Sequence, residues 1–329
     1  MKLPEPRGAL SGELITALAR DPYDLAIDAT AESPDDLQLS LFVLYELNYR
    51  GWDVVSDDWE WHPDLIRVRT ALEAEFLTTL RALAEPYRDE VPEPATATAI
   101  ARRLTEMTSA DEGPSLSKYL RGRATLDEFR EFAMHRSVYH LREADPHTFA
   151  IPRLGGAAKA ALIEIQIDEY GNGRLNRMHQ ELFRRTMTAL HLDTTYGAYV
   201  NVAPAETLAT NNVMSLFGLH RRRRGALLGH LAAYEMTSTL PNRAYGNGLR
   251  RLGGDGDATR FYDEHVEADA VHEQIAAYDM CGAFAEAEPA LAGDVLFGAR
   301  CALALDVQWA TSVLGKWAAG ESSLRLAGA

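Results

Sequence analysis

The chain has 329 residues, 47% hydrophobic and 25% charged, enough for one large or two moderate globular units with buried cores. Forty-eight acidic against 33 basic residues leave a net charge of −15, which repels polyphosphate and anionic lipid and so argues against nucleic acid and membrane partners. Cys281 and Cys301 form no disulfide framework and no Cys-x-x-Cys pair. The N-terminus lacks the apolar run of a signal peptide and no stretch reaches the ~18 apolar residues of a membrane span, so a cytoplasmic protein is expected.

Helical periodicity dominates, and nothing alternates with period two for long enough to make a sheet; the expected fold is all-α. In chain order, Ser33-Pro34 and two aspartates introduce a helix over Leu37–Leu47. Trp52, Trp59 and Trp61 follow, an aromatic cluster of the kind that fills a core or serves a subunit contact. His62-Pro63 opens a helix over Leu65–Leu83. From Pro86 to Pro114 four prolines mark a boundary: residues 1–112 read as an N-terminal helical unit suited to homodimer formation, and 113–329 as a helical bundle. Thr125-Leu-Asp-Glu128 caps a helix over Leu126–Leu141, and further helices are expected over Ala157–Tyr170, Arg177–Leu190, Ala226–Thr239 and Asp257–Tyr278. The basic run Arg221–Arg224 reads as a solvated helix face or turn.

The chemistry concentrates in the last of these helices. His265, Asp269 and His272 stand at i, i+4 and i+7, which at about 100° per residue puts them within roughly 60° on one face. That is metal-ligand spacing, and imidazole with carboxylate suits a divalent transition metal. Further donors lie upstream: Glu143, Glu169, His179 and Glu235. Glu143, Glu235 and Asp269 stand in otherwise apolar surroundings, where an unpaired carboxylate costs several kcal/mol or takes up a proton. Three histidines and four carboxylates exceed a closed zinc site and suit two iron or manganese ions. Glu169 and His179 would lie about 15 Å apart along a straight helix, so a break is expected at Gly171-Asn172-Gly173, in a segment ordered in part by metal. A ferritin-type bundle needs two carboxylate-x-x-His pairs, and only Asp269-Ala-Val-His272 provides one.

These residues resemble a known family. Met134 to His147, Glu164 to Gly173, Gly229 to Ser238 and Phe261 to Glu273 are similar to motifs of the haem-oxygenase-like diiron oxidases and oxygenases, the iron-containing redox enzymes. The resemblance spans residues 115 to 290 and, more loosely, 36 to 61. It implies a seven-helix haem-oxygenase-like bundle with Glu143 on the first core helix, Glu169 and His179 on the next, Glu235 on a later one and His265, Asp269 and His272 on the last. These would bind two Fe2+ ions, with manganese as a substitute, and no separate catalytic residue is implied; the family uses the Glu169 position variably. The implied activity is reaction with O2 through a peroxo-diiron(III) species to oxygenate an amine or guanidine nitrogen of a small amino acid-like substrate, with an external electron donor as a further partner. Desaturation or carbon–carbon cleavage of an amino or fatty acid is the second enzymatic reading, and a non-catalytic iron-binding helical protein the third. A thiaminase-like branch of the fold would use a cysteine such as Cys281 and no metal.

Other polar residues read more simply. His62, His135, His191 and His220 are expected as core or surface residues, and His140, His147 and His230 as hydrogen-bonding neighbours of the ligands. Glu164, Asp168, Glu264 and Glu267 are expected to face solvent or support the ligands. Arg153, Gln166, Tyr170 and Tyr262 are packing residues that could also line a polar pocket.

Overall fold

The computed structural model describes residues 1–85, 91–110 and 113–325, except the side chains of residues 268–270. Helix α1 (Ala9–Leu18) precedes α2 (Pro34–Glu46), which starts where the Ser33 hydroxyl accepts from the Asp36 amide at 3.2 Å. Helix α3 (Pro63–Ala84) begins at the proline after His62. Helix α4 (Ala97–Ser109) lies inside the proline-bearing stretch and buries Ile100, Ala101, Leu104 and Met107. Residues 86–90 and 111–112, which hold part of the expected boundary, lie outside the described residues. Helix α5 (Leu116–Gly122) leads to α6 (Leu126–His140), whose Thr125 and Glu128 form a reciprocal capping box. The short α7 (Asp145–Thr148) then precedes α8 (Gly156–Glu169), α9 (His179–Ala189), α10 (Ala205–Leu219), α11 (Arg224–Arg251) and α12 (Gly256–Gln274). A π-helical segment, Ile275–Gly282, continues α12 into α13 (Ala283–Ala287), and α14 (Ala292–Ala318) closes the fold.

The described residues contain no strand, and the all-α expectation holds. None of their helices is long and apolar enough to cross a membrane. Helix α11 runs on through Pro241, well beyond the expected Thr239. It packs on α14 through glycines: a Cβ at Gly229 would lie 1.8 Å from the Val295 carbonyl, and one at Gly298 1.9 Å from that of Ala226. Side chains larger than hydrogen would force these two helices apart.

Two apolar clusters make the core. The first joins α1–α4 to α8, α10 and the N-terminal halves of α11 and α14, while the second joins α5, α6, α9 and α12 to the C-terminal parts of α11 and α14. Trp52 and Trp59 are buried in the first, and Trp61 is exposed. The seam between the clusters is legible along single helices. On α11, Glu235 stands between Ala233 of the first cluster and Leu249 of the second; on α14, Asp306 stands between Leu305 and Trp309; on α6, Arg136 stands between Ala133 and Val138. Polar groups therefore collect along one internal boundary. Arg221 and Arg222 are exposed in a turn, as expected, but Arg223 and Arg224 pair with Asp294 of α14 and Glu288 ahead of it.

Candidate metal centre

Four helices and one turn bring the acidic and imidazole groups together. Helix α8 ends at Glu169 because Gly171, Asn172 and Gly173 take positive φ values of 60°, 54° and 73°, a left-handed run that no α-helix continues through. A Cβ at Gly171 would also meet the Arg177–Met178 backbone at 2.5 Å. Single 3-10 turns follow and α9 begins at His179 itself. The expected break is present, and it folds the chain so that His179 Nδ1 lies 3.0 Å from Glu169 Oε2.

Glu143 was expected on a helix and instead lies three residues beyond the last residue of α6, in a turn closed by Ala144 at φ 73°. Its Oε1 is 2.8 Å from His140 Nδ1 and 3.7 Å from His265 Nε2. Burial alone would raise this carboxyl, but His140 and His265 outweigh it and hold Glu143 far below the ordinary carboxylate range. On α12, His265 Nδ1 donates to the Phe261 carbonyl at 2.8 Å, which fixes the tautomer and presents Nε2 to Glu143. His272, two turns along, has Nδ1 3.3 Å from Glu235 Oε2 and Nε2 3.5 Å from Asp168 Oδ2. Burial opposes its protonation, yet Glu235, Glu169 and Asp168 push it up to about 9, while burial raises Glu235. Without metal, this pair retains a proton that a divalent cation would displace. Asp269 stands on α12 between the two histidines, and its side chain lies outside the described residues.

The outcome is two overlapping sets. Glu143, Glu169, His179 and His265 each offer one atom within 4.8 Å of the others, and so do Glu169, Glu235 and His272; all six residues are buried. Glu169 belongs to both. Glu143 Oε2, Glu235 Oε2, His179 Nδ1 and His272 Nδ1 are buried without a hydrogen-bond partner, although His179 and His272 each lie close to a carboxylate. Donors that crowd together without bonding one another are the arrangement a cation completes, and a mixed carboxylate and imidazole set fits iron.

The neighbours divide as their burial dictates. His140 touches Glu143, whereas His147 and His230 face each other at 3.4 Å, both kept neutral by burial. His135 bonds Thr207 and Ser323, and His220 bonds Glu73. Glu164 and Glu267 are exposed, and Glu264 pairs with Arg260. Cys281 is fully buried and burial raises its thiol, the opposite of an activated nucleophile.

A cavity of about 200 Å³ opens beside Glu143, Glu169, Glu235 and His265. Gln166 and Tyr262 line it; Arg153 instead bonds the Gly218 and Leu219 carbonyls, and Tyr170 bonds Asp145 and Thr148. Arg136, Tyr234, Asn242 and Asp306 also line it and were not singled out from sequence. Asp306 carried a usable signal, a lone carboxylate in the apolar run Cys301-Ala-Leu-Ala-Leu-Asp306, the same signal that marks Glu235.

Comparison with known proteins places these residues in a family. Over 138 residues, 41% of this chain, the sequence is 28% identical to the nitrosourea synthase of Streptomyces achromogenes subsp. streptozoticus, and the match spans 29% of that protein's length. The family model described as iron-containing redox enzyme matches residues 130–307. That segment is more than half of the chain and holds every residue of the two donor sets; the chain is a member of the iron-containing redox enzyme family, haem-oxygenase-like in fold and an oxidoreductase in class.

Proposed function

We propose that the chain is a diiron oxygenase that oxidises a nitrogen of a small amino acid-like substrate. The observation that carries this reading is the pair of buried donor sets joined at Glu169 and facing a cavity. Glu143, Glu169, His179 and His265 would hold one iron, and Glu169, Glu235 and His272 the other, with Asp269 the expected further ligand. Bound there, two ferrous ions would supply the electrons and open coordination positions needed to reduce O2.

The chain's own groups would set the conditions. His265 is locked in one tautomer by Phe261, so its Nε2 is always the presented nitrogen. The Glu143 carboxylate is kept ionised and oriented by His140 Nδ1. Gln166 donates to the Ala144 carbonyl at 3.3 Å and holds the turn that carries Glu143. Phe183 and Phe261 pack on His140 and exclude water from that side. Transfer of one oxygen atom of O2 to an N–H group, with release of the other as water, consumes two electrons and two protons. An external reductant is therefore a required partner for repeated turnover. The family membership and the similarity to nitrosourea synthase support the redox and nitrogen parts of this reading. The small volume of the cavity favours an amino acid-like substrate over a long-chain fatty acid.

Anaerobic loading followed by metal analysis tests the proposal. Two irons per chain, and O2 uptake that depends on an amine- or guanidine-bearing amino acid, are expected. Fewer than one iron per chain under saturating conditions, or no O2 uptake by the iron-loaded protein, would sink it.

A further inference from the structure

We propose that a groove between α8 and the junction of α12 with the π-helical segment is the docking surface for the electron donor, a one-electron carrier protein whose cofactor edge is ringed by lysine and arginine. This rests on the functional reading above, which requires an external reductant. Ala160, Ile163, Ile167, Val271 and Ile275 give the groove an apolar lining, and it shares no lining residue with the cavity beside the donor sets. Ile167 and Val271 are 49% and 60% exposed. A single exposed aliphatic side chain is ordinary on a protein surface, but these two share one concavity with three more apolar residues.

His272 is where the groove meets the donor sets. It belongs to the second set, with Nδ1 3.3 Å from Glu235, while its Nε2 lies 3.5 Å from Asp168, whose side chain is 39% exposed. Both His272 and Asp168 line the groove, whereas Glu143, Glu169, Glu235 and His265 line the cavity. One imidazole and one carboxylate therefore span from the second donor set to the outer surface. Electron transfer weakens exponentially with the gap to be crossed, so a carrier gains most by docking where a proposed ligand is itself part of the surface. A carrier seated over the cavity would compete with the substrate.

Charge selects the kind of carrier. Glu164 and Asp168 line the groove, and Glu267 is exposed one turn before Val271. Among the described residues no lysine or arginine lines it; Arg174 and Arg177, exposed in the turn beyond Asn172, do not. On a chain with a net charge of −15, this surface attracts a basic rim and repels anionic reductants such as free reduced flavin. An apolar centre with a charged rim is the anatomy of a protein interface, and a short groove suits an encounter that must dissociate after each electron. The carrier gives up one electron per encounter, two encounters deliver the two electrons of a turnover, and no bond is made or broken at the groove.

Anaerobic stopped-flow mixing of the diferrous protein with oxidised carriers runs the transfer in reverse and needs no substrate. The probes are ferricytochrome c, whose haem edge is ringed by lysines; oxidised plastocyanin, a stronger oxidant with an acidic surface; and ferricyanide, a small oxidant that needs no docking surface. One electron leaves a ferrous ion and reduces one carrier, read from the carrier's visible bands. Ferricytochrome c should react at least about 10-fold faster than plastocyanin at low salt, and this advantage should be largely lost at physiological ionic strength. Glu164→Lys and Ile167→Lys should each slow ferricytochrome c by about 3- to 10-fold, with iron content, thermal unfolding and the ferricyanide rate unchanged. Glu75→Lys, at an exposed position of α3, makes the same charge change as Glu164→Lys and should alter the rate by less than about 2-fold. An equal effect of Glu75→Lys, wild-type rates in the groove variants, an advantage that salt does not diminish, or plastocyanin as the faster acceptor would each overturn the assignment. So would iron-loaded protein that ferricyanide oxidises and ferricytochrome c does not. Failure to load iron, or bound iron that ferricyanide cannot oxidise, would instead overturn the diiron reading.

Discussion

Glu46 and Arg142 form an ion pair at 3.4 Å with both side chains buried, and it ties α2 to the turn that presents Glu143. Tyr196 donates to the same Glu46 oxygen at 2.9 Å, and Arg50 donates to the Leu141 carbonyl in the same turn. Burial raises the Glu46 carboxyl and Arg142 opposes that rise. The N-terminal part of the chain thus helps to build the candidate metal centre, although it supplies none of the proposed donors.

Glu46→Gln leaves Arg142 as an uncompensated buried charge and should destabilise the protein by about 3 kcal/mol, read from urea unfolding. It should also weaken iron binding, because the turn loses its anchor. A variant as stable as the wild type with unchanged iron content would show that the pair has no such role.

Glu169 belongs to both donor sets, and Glu235 to one. Glu169→Ala should therefore lower the iron content at both positions, while Glu235→Ala should leave one tightly held iron per chain. Metal analysis after gel filtration distinguishes the two, and identical losses would argue against a shared carboxylate. His140→Leu, which removes a contact to Glu143 and no proposed ligand, should reduce affinity by about 10- to 100-fold.

Below neutral pH, His135 should cost stability. Burial lowers it to about 3, and its two nitrogens are engaged by Thr207 and Ser323. The unfolded chain takes up a proton near pH 6.5 that the folded chain refuses, so the stability is fully present above that value and is lost as pH falls toward 3. The loss is about 1.4 kcal/mol per pH unit, or about 2 kcal/mol at pH 5. Unfolding of His135→Gln should depend on pH less steeply than the wild type by that amount, and parallel profiles would refute the assignment.

Gly229→Ala should destabilise by about 1–3 kcal/mol, because its Cβ would collide with the Val295 carbonyl and push α11 from α14. Glu235 rides on α11 one and a half turns later, so iron affinity should fall as well. Thermal unfolding and metal titration read the two effects separately.

Local information carried the sequence reading as far as it went. Caps at Ser33 and Thr125 place helix starts, the left-handed run at Gly171–Gly173 follows from residue type, and the histidine spacing on α12 is a matter of helical period. Helix α10 was not assigned, because a helix buried nearly all round has no polar face to reveal its period. Glu143 looked helical because nothing local marks Ala144 as the residue that turns the chain.

The kinds of donor, their number and the break between Glu169 and His179 are thus properties of the sequence, set by side-chain chemistry and by backbone preferences of a few residues at a time. That Glu169 belongs to two donor sets, that Glu46 anchors a turn 96 residues away and that Arg136 of α6 meets Asp306 of α14 were decided only by the tertiary structure. Such pairings depend on how two apolar clusters close against each other, and periodicity within one helix carries no information about which neighbour it will meet.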